Sequence, residues 1–322
     1  MKYGHIAGAF FNRPWVILPE TLETMASILR FRMEGGTLTK EEIQARLGAA
    51  ADRPASTRSG SIAVLPLLGV LSQRMNVMTE MSGGTSTEMF GRAFQQVMSD
   101  PSVKAVVLDI HSPGGETFGV DELSSMIFKA RKQKPVVALA NSLAASGAFW
   151  IGTAASEMWA TPGAMVGSVG VYAEHTDLSK AAEMAGIKTT FISAGRFKVE
   201  GNAWEPLSDT AREHVQSIVD DIYGQFVKAL ARNRGVSEAT VRNGFGEGRV
   251  VTAGRAKALG MIDGIGTMED VLRRLGGSSA REAEEKWRAE ADVEMMAEPE
   301  PETAPVDERE RHRLRMALLG KR

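Results

Sequence analysis

Ala105-Val106-Val107-Leu108-Asp109-Ile110-His111-Ser112-Pro113-Gly114-Gly115-Glu116 reads as a short β-rich run, Ala105–Ile110, stopped by a proline and two glycines. Outward from it the same grammar repeats. Runs at Ile62–Leu68 and Val136–Leu139 are strand-like, while Glu88–Met98 and Val120–Lys132 have helical spacing. Val169–Tyr172 and Lys188–Ile192 read as further strands, and Asp209 to Asn233 as the longest helix. Strands separated by helical segments imply parallel pairing through right-handed crossovers, so the expected class is α/β.

The flanks differ from this core. Residues 1–58 carry an aromatic-rich start (Phe10, Phe11, Trp15) and amphipathic stretches at Leu22–Met33 and Thr39–Leu47, and 49–60 have linker composition. The alternating region spans 61–277. Beyond it, Arg281 to Glu310 hold twelve acidic residues against four basic ones, interrupted by Pro299, Pro301 and Pro305. Such a stretch buries too little apolar surface to fold alone. Three parts are therefore expected: an N-terminal appendage and linker (1–58), a central domain (61–277) and a charged, flexible tail (278–322).

The 322 residues are 43% hydrophobic and 24% charged, with a net charge of −2. That balance is globular and offers no polyanion-binding surface, so nucleic acid is not an expected partner. With no cysteine, disulfides, thiolate metal sites and a cysteine nucleophile are excluded. No signal-peptide pattern opens the chain and no run of about 18 apolar residues occurs, so a cytoplasmic protein without a membrane anchor is expected. No histidine or carboxylate cluster suggests a metal, and no cofactor is expected.

Four segments could carry chemistry, each at a strand end or helix start, where α/β folds place ligands. Gly114 and Gly115 can bring backbone amides close to a carbonyl oxygen that becomes negative, as in an oxyanion hole; an ordinary strand-to-helix turn explains them equally well. Ser146, in Ala144-Ala145-Ser146-Gly147-Ala148, opens an apolar helix among small residues that leave its hydroxyl accessible, although serine is also a common helix N-cap. Ser168 lies in the glycine-bracketed Gly167-Ser168-Val169-Gly170, where a buried strand serine bonded to main chain is the plain alternative. Lys198 alone would be a solvated loop lysine. A serine hydroxyl needs a group to take its proton, and a lysine amine does so once burial favours its neutral form. His111 and His175 are competing bases, with Asp109 and Asp177 as third members of a triad, and Glu200 could hold Lys198 charged as an ion pair.

Together these segments resemble the signal peptide peptidase A family of Ser-Lys peptidases. The resemblance rests on Ser112-Pro113-Gly114-Gly115, Ala145-Ser146-Gly147, Gly167-Ser168-Val169-Gly170-Val171, Gly195-Arg196-Phe197-Lys198 and Gly246-Glu247-Gly248-Arg249-Val250-Val251-Thr252. Ala148 departs from it, standing where the family often has a second glycine. The resemblance implies Ser146 as nucleophile, Lys198 as general base, Ser168 as the residue that hydrogen-bonds the lysine, and Gly114, Gly115 and Gly147 as oxyanion donors. It also implies the spiral parallel-sheet fold of the caseinolytic protease and crotonase superfamily, and assembly into a homo-oligomeric ring, with some members building one active site from two subunits. Substrate is expected as an added strand along Gly115–Phe118 and Gly170–Tyr172, touching Glu116, Thr117, Gly170 and Val171. The stretch Arg13-Pro14-Trp15 and Ile17-Leu18-Pro19 looks like the phage and prophage branch of the capsid assembly protease C type, which cuts scaffold, portal-associated or capsid proteins. A cellular peptide-degrading protease, a crotonase-type acyl-CoA enzyme and a catalytically silent assembly protein are the other readings.

Overall fold

A computed structural model describes residues 14–33, 35–47, 56–74 and 84–276. Phe10, Phe11 and Arg13, the linker composition at 49–55 and the charged tail from 278 onward lie outside them. The core is a sheet of parallel strands: β3 (Ile62–Leu68), β6 (Ala105–Ser112), β8 (Val136–Ala145) and β10 (Met165–Gly167) pair in that order. Antiparallel β2 (Thr57–Ser59) and β12 (Val250–Thr252) close its two edges. β6 is buried along Ala105–Ile110, as suits a mainly apolar strand between two parallel neighbours, with Asp109 its one charged residue there. This is the expected α/β class.

β8 carries the active-site end of the sheet. Its first half pairs with β9 (Glu157–Ala160) and its last residues with β10. Between them the register against β6 slips, so that Ile110 faces Ala140 but His111 faces Leu143. Ser142 sits in that slip with φ 93°. A bulge of this kind re-aims the strand beyond it, and here it brings Ala145 level with Gly167.

Helices cover the sheet for reasons visible in the chain. α3 (Thr87–Ser99) comes after α1 (Pro19–Met33) and α2 (Lys40–Leu47), is capped by the Ser86 hydroxyl and buries Phe90, Phe94 and Met98 at four-residue spacing. α4 (Val120–Ala130) and α5 (Gly147–Thr153) meet the later α7 (Asp209–Arg234), which comes after α6 (Ser179–Met184). Asn233 on α7 donates to Thr153 Oγ1 at 3.1 Å, and Trp150 of α5 stacks on Phe226 at 4.5 Å. Every residue of α5 is buried.

Two expected strands differ. Gly167 and Ser168 have φ 116° and 55° and end β10, so of the Val169–Tyr172 run only Tyr172 lies in a strand, β11 (Tyr172–Ala173). Residues 188–192 form no strand and are exposed, Ile192 at 98%. Their β-branched and aromatic side chains find no sheet neighbour within the protomer, and β propensity without a partner does not make a strand.

The second sheet runs β11-β1-β7-β4-β5. It joins β1 (Pro14–Ile17) to β7 (Gly114–Glu116), β4 (Leu71–Ser72) and β5 (Thr85–Ser86). The N-terminal strand thus packs directly against the Gly114-Gly115 turn.

The closing segment fastens the far side. After α8 (Glu238–Gly244) and α9 (Ala253–Ala258), Asp263 precedes β13 (Gly264–Ile265) and α10 (Met268–Arg274). The Arg234 guanidinium donates to both Asp263 oxygens at 2.7 and 2.9 Å, and the Met158 amide donates at 2.7 Å. Burial pushes the Asp263 carboxyl up, but the bonds from Arg234 and Met158 outweigh it and hold the group below its ordinary value. Its contribution to stability is therefore present above the unfolded value of about 3.9 and lost as pH falls through the lower folded value. We expect Asp263→Asn to cost about 2 kcal/mol at neutral pH, and the gap between variant and wild type in urea unfolding to close below about pH 4.

Candidate active site

β8 turns into α5 through one residue, Ser146, with φ 53° and ψ −118°. Non-glycine residues avoid this region at a cost of about 1–3 kcal/mol, so the surroundings must impose it. They do so from three sides. The Ser146 amide donates to the Gly167 carbonyl at 2.7 Å, its carbonyl accepts from Trp150 at 2.9 Å, and the buried α5 anchors the chain beyond it. The Ser146 hydroxyl caps no helix amide, and it is buried without a hydrogen-bond partner among the described residues. The helix-cap explanation of this serine therefore fails.

Several of the singled-out residues converge on this turn. Ser168 comes directly after Gly167, the partner of Ala145; it is 5% exposed, with φ 55°, and its amide donates to the Arg249 carbonyl at 2.8 Å. Two strained serines thus leave neighbouring parallel strands side by side. Gly114, with φ 97°, is so close to β1 that a β-carbon there would overlap the Val16 carbonyl oxygen, and that β-carbon would stand 3.1 Å from the Ala145 carbonyl. A β-carbon at Gly115 would overlap the Leu71 backbone, and one at Gly147 would stand 2.9 Å from Val16 Cγ2. The three glycines are demanded by close backbone approach.

Other residues stand differently. Lys198 lies in a turn, is exposed, and its amine has no hydrogen bond or ion pair among the described residues, with Glu200 included. Among the described residues nothing bonds Ser146 Oγ, so neither Lys198 nor a described histidine is joined to it. His111 Nδ1 is bonded to Ser142 Oγ, and both ring nitrogens of His175 are buried without a partner among the described residues. Asp109 accepts from Asn141 at 3.1 Å. Asp177 accepts from the Ser179 amide at 2.9 Å, and the Ser179 hydroxyl and amide hold its carboxyl below the ordinary value. No histidine-carboxylate triad is assembled around Ser146 among the described residues.

Glu116 and Thr117 lie at the end of β7, and Gly170 and Val171 immediately before β11. They frame a slot one strand wide, which β1 fills. Burial first, then Glu174 and Glu20, push the Tyr172 phenol on β11 upward, so it stays protonated.

Three contributors carry no evident signal of their role in the sequence. Ser112 donates to the Gly69 carbonyl at 2.6 Å and accepts from the Gly114 amide at 3.2 Å, which fixes the glycine turn. Arg249 acts through its carbonyl, which side-chain identity cannot reveal. Val16 sits in Pro14–Ile17, where residues 15 and 17 face one cluster and 16 the other; that alternation is the one local trace of its placement.

A buried serine on a forced strand-to-helix turn, ringed by glycines that admit close backbone, is the arrangement in which a serine hydrolase presents its nucleophile. Residues 129–280 match the profile of Peptidase family S49. The chain is 32% identical over 308 residues to the capsid assembly protease C of Escherichia phage lambda, covering 87% of this chain and 70% of that protein. It is 32% identical over 247 residues to the head-tail preconnector protein of Enterobacteria phage P21, covering 72% of this chain and 49% of that protein. A putative signal peptide peptidase of Enterococcus faecium is 27% identical over 182 residues, 56% of this chain and 53% of that protein. The chain belongs to peptidase family S49, and it spans about half the length of the phage P21 relative. No helix among the described residues is long and apolar enough to cross a membrane.

Proposed function

We propose that the protein is a serine endopeptidase of phage head maturation, with Ser146 as nucleophile and Lys198 as general base. The observation that carries this reading is the buried, unpartnered Ser146 hydroxyl on its forced turn. The phage relatives support capsid-related proteins as substrates. The parallel strands and the glycine turn are consistent with the spiral fold of the caseinolytic protease and crotonase superfamily. In this reading 61–277 is the peptidase domain, 1–58 an element applied to it, and 278–322 a charged tail.

Lys198 reaches Ser146 from a neighbouring subunit. Within one protomer Lys198 is exposed, and the segment before it presents Met184, Ile187, Phe191, Ile192 and Phe197 to solvent, which suits a surface covered by a second copy. Such an interface would enclose the Lys198 amine beside Ser146. That amine takes the Ser146 proton as Oγ attacks the scissile carbonyl, while amides at Gly114, Gly115 and Gly147 receive the oxyanion. The lysine passes the proton to the departing amine, and the acyl-enzyme forms. Water then gives its proton to the lysine, attacks the ester, and Ser146 Oγ recovers a proton. Ser168 orients the lysine amine.

A fluorophosphonate probe tests the nucleophile. We expect one labelled peptide, containing Ser146, and no labelling of Ser146→Ala; labelling elsewhere, or none of the wild type, contradicts the assignment.

A further inference from the structure

The slot between β7 and β11 already holds a peptide strand of the chain's own. β1 runs antiparallel to both neighbours, with Val16 opposite Gly115, Ile17 opposite Gly114 and Trp15 opposite Tyr172. The Leu18 amide extends this ladder, donating to the Pro113 carbonyl at 2.9 Å. β7 and β11 do not pair with each other; each meets only β1 across the slot. A strand held on both sides by main-chain bonds is how an extended peptide is recognised at a sheet edge.

The position of Val16 within that slot is specific. Its carbonyl oxygen is the nearest atom to where a β-carbon would stand on Gly114, and it lies 3.2 Å from the same place on Gly147. The residue between Ala145 and Gly147 is Ser146. Val16 Cγ2 lies 2.9 Å from the Gly147 β-carbon position, and Val120 Cγ2 lies 3.5 Å from it. Val16 thus points into the domain core, whereas Trp15 and Ile17 on the opposite face pack with Leu22, Met25 and Leu29 of α1.

We infer that β1 is a resident substrate-like strand: it occupies the substrate cleft with Val16 at the residue whose carbonyl is attacked, and a protein substrate must displace it. This inference rests on Ser146 being the nucleophile. It assigns the substrate class as an extended peptide entering antiparallel to β7, with a compact aliphatic side chain on the amino side of the cut bond. The Val16 side chain stands against Gly147, with the aliphatic Val120 beside the same place. Hydrolysis is held back while β1 is docked.

The absence of native cysteine allows a reversible lock. Pro14 and Ala173 are cross-strand partners, so a P14C/A173C pair can be joined by a disulfide that holds β1 in the slot. With full-length protein we expect fluorophosphonate labelling and casein hydrolysis to be at least about tenfold slower oxidised than reduced. The reduced variant should cut a peptide containing Trp-Val-Ile at least about tenfold faster than its Trp-Asp-Ile counterpart. Val16→Pro, which removes a ladder amide, supplies a second measure: it should raise the wild-type rate, and a capped Pro-Trp-Val-Ile-Leu peptide should compete for its cleft. Equal activity of the oxidised and reduced forms, or no preference between the two peptides, overturns the inference. Absence of labelling in every form, matching Ser146→Ala, instead sinks the assignment of Ser146.

Discussion

Ser146→Ala and Lys198→Ala should each lose about four or more orders of magnitude in peptide hydrolysis, yet regain activity when co-expressed. The geometry requires this if Lys198 serves a neighbour. Ser146 Oγ is buried without a partner, while the Lys198 amine stands in solvent. In a ring of head-to-tail contacts, a site works when a Lys198→Ala subunit offers its serine to the lysine of a Ser146→Ala subunit. Random mixing at equal amounts places that order at about a quarter of the interfaces, so about a quarter of wild-type activity is expected. The measurement is hydrolysis by co-purified, differently tagged variants. A dead mixture would mean that serine and lysine must lie on one chain.

Gly115→Ala should be the most damaging alanine substitution among the described glycines. Its added carbon would overlap the oxygen, carbonyl carbon and nitrogen of Leu71, all of them backbone atoms of the adjoining β4. A flexible side chain could swing away; a strand already paired to β5 and β7 cannot do so without breaking its ladder. Overpacking typically costs about 1–3 kcal/mol, and we expect the upper end or more, since the relief must come from main chain. Because β7 also carries Gly114, the shift should misplace the oxyanion cradle, with at least about a hundredfold loss in kcat, the loss typical of one missing donor. Chemical denaturation and steady-state kinetics on the same sample would separate the two losses. A fully stable, fully active Gly115→Ala enzyme would mean that β4 and β7 are not so closely packed.

How much of the molecule is legible in its sequence depends on how local each signal is. Ile62–Leu68, Ala105–Ile110 and the helix from Asp209 are legible because burial on both faces, or a capped amphipathic repeat, is written within a dozen residues. Gly114, Ser146 and Gly147 are legible as candidates because close backbone approach leaves glycine and serine as its trace. The strand expected at Lys188–Ile192 is a misreading, since its apolar β-branched residues look identical whether the neighbour is a strand of the same protomer or something outside it. Long-range geometry is silent altogether. Nothing local tells that Val16 lies against Gly147, 131 residues away, or that the Arg249 carbonyl receives the Ser168 amide. Nor could residue type reveal that Ser146 adopts φ 53°.

If Lys198 completes the site of a neighbouring subunit, as proposed, the exposed lysine and the bare apolar segment before it make catalysis a matter of mass action. A newly made protomer, dilute among other proteins, would then carry a nucleophile with no base and be harmless to them. As copies accumulate at one place, the number of completed sites rises more steeply than the number of chains. Protein concentration then acts as the trigger, and cutting is confined to wherever many copies are gathered, without any separate activator.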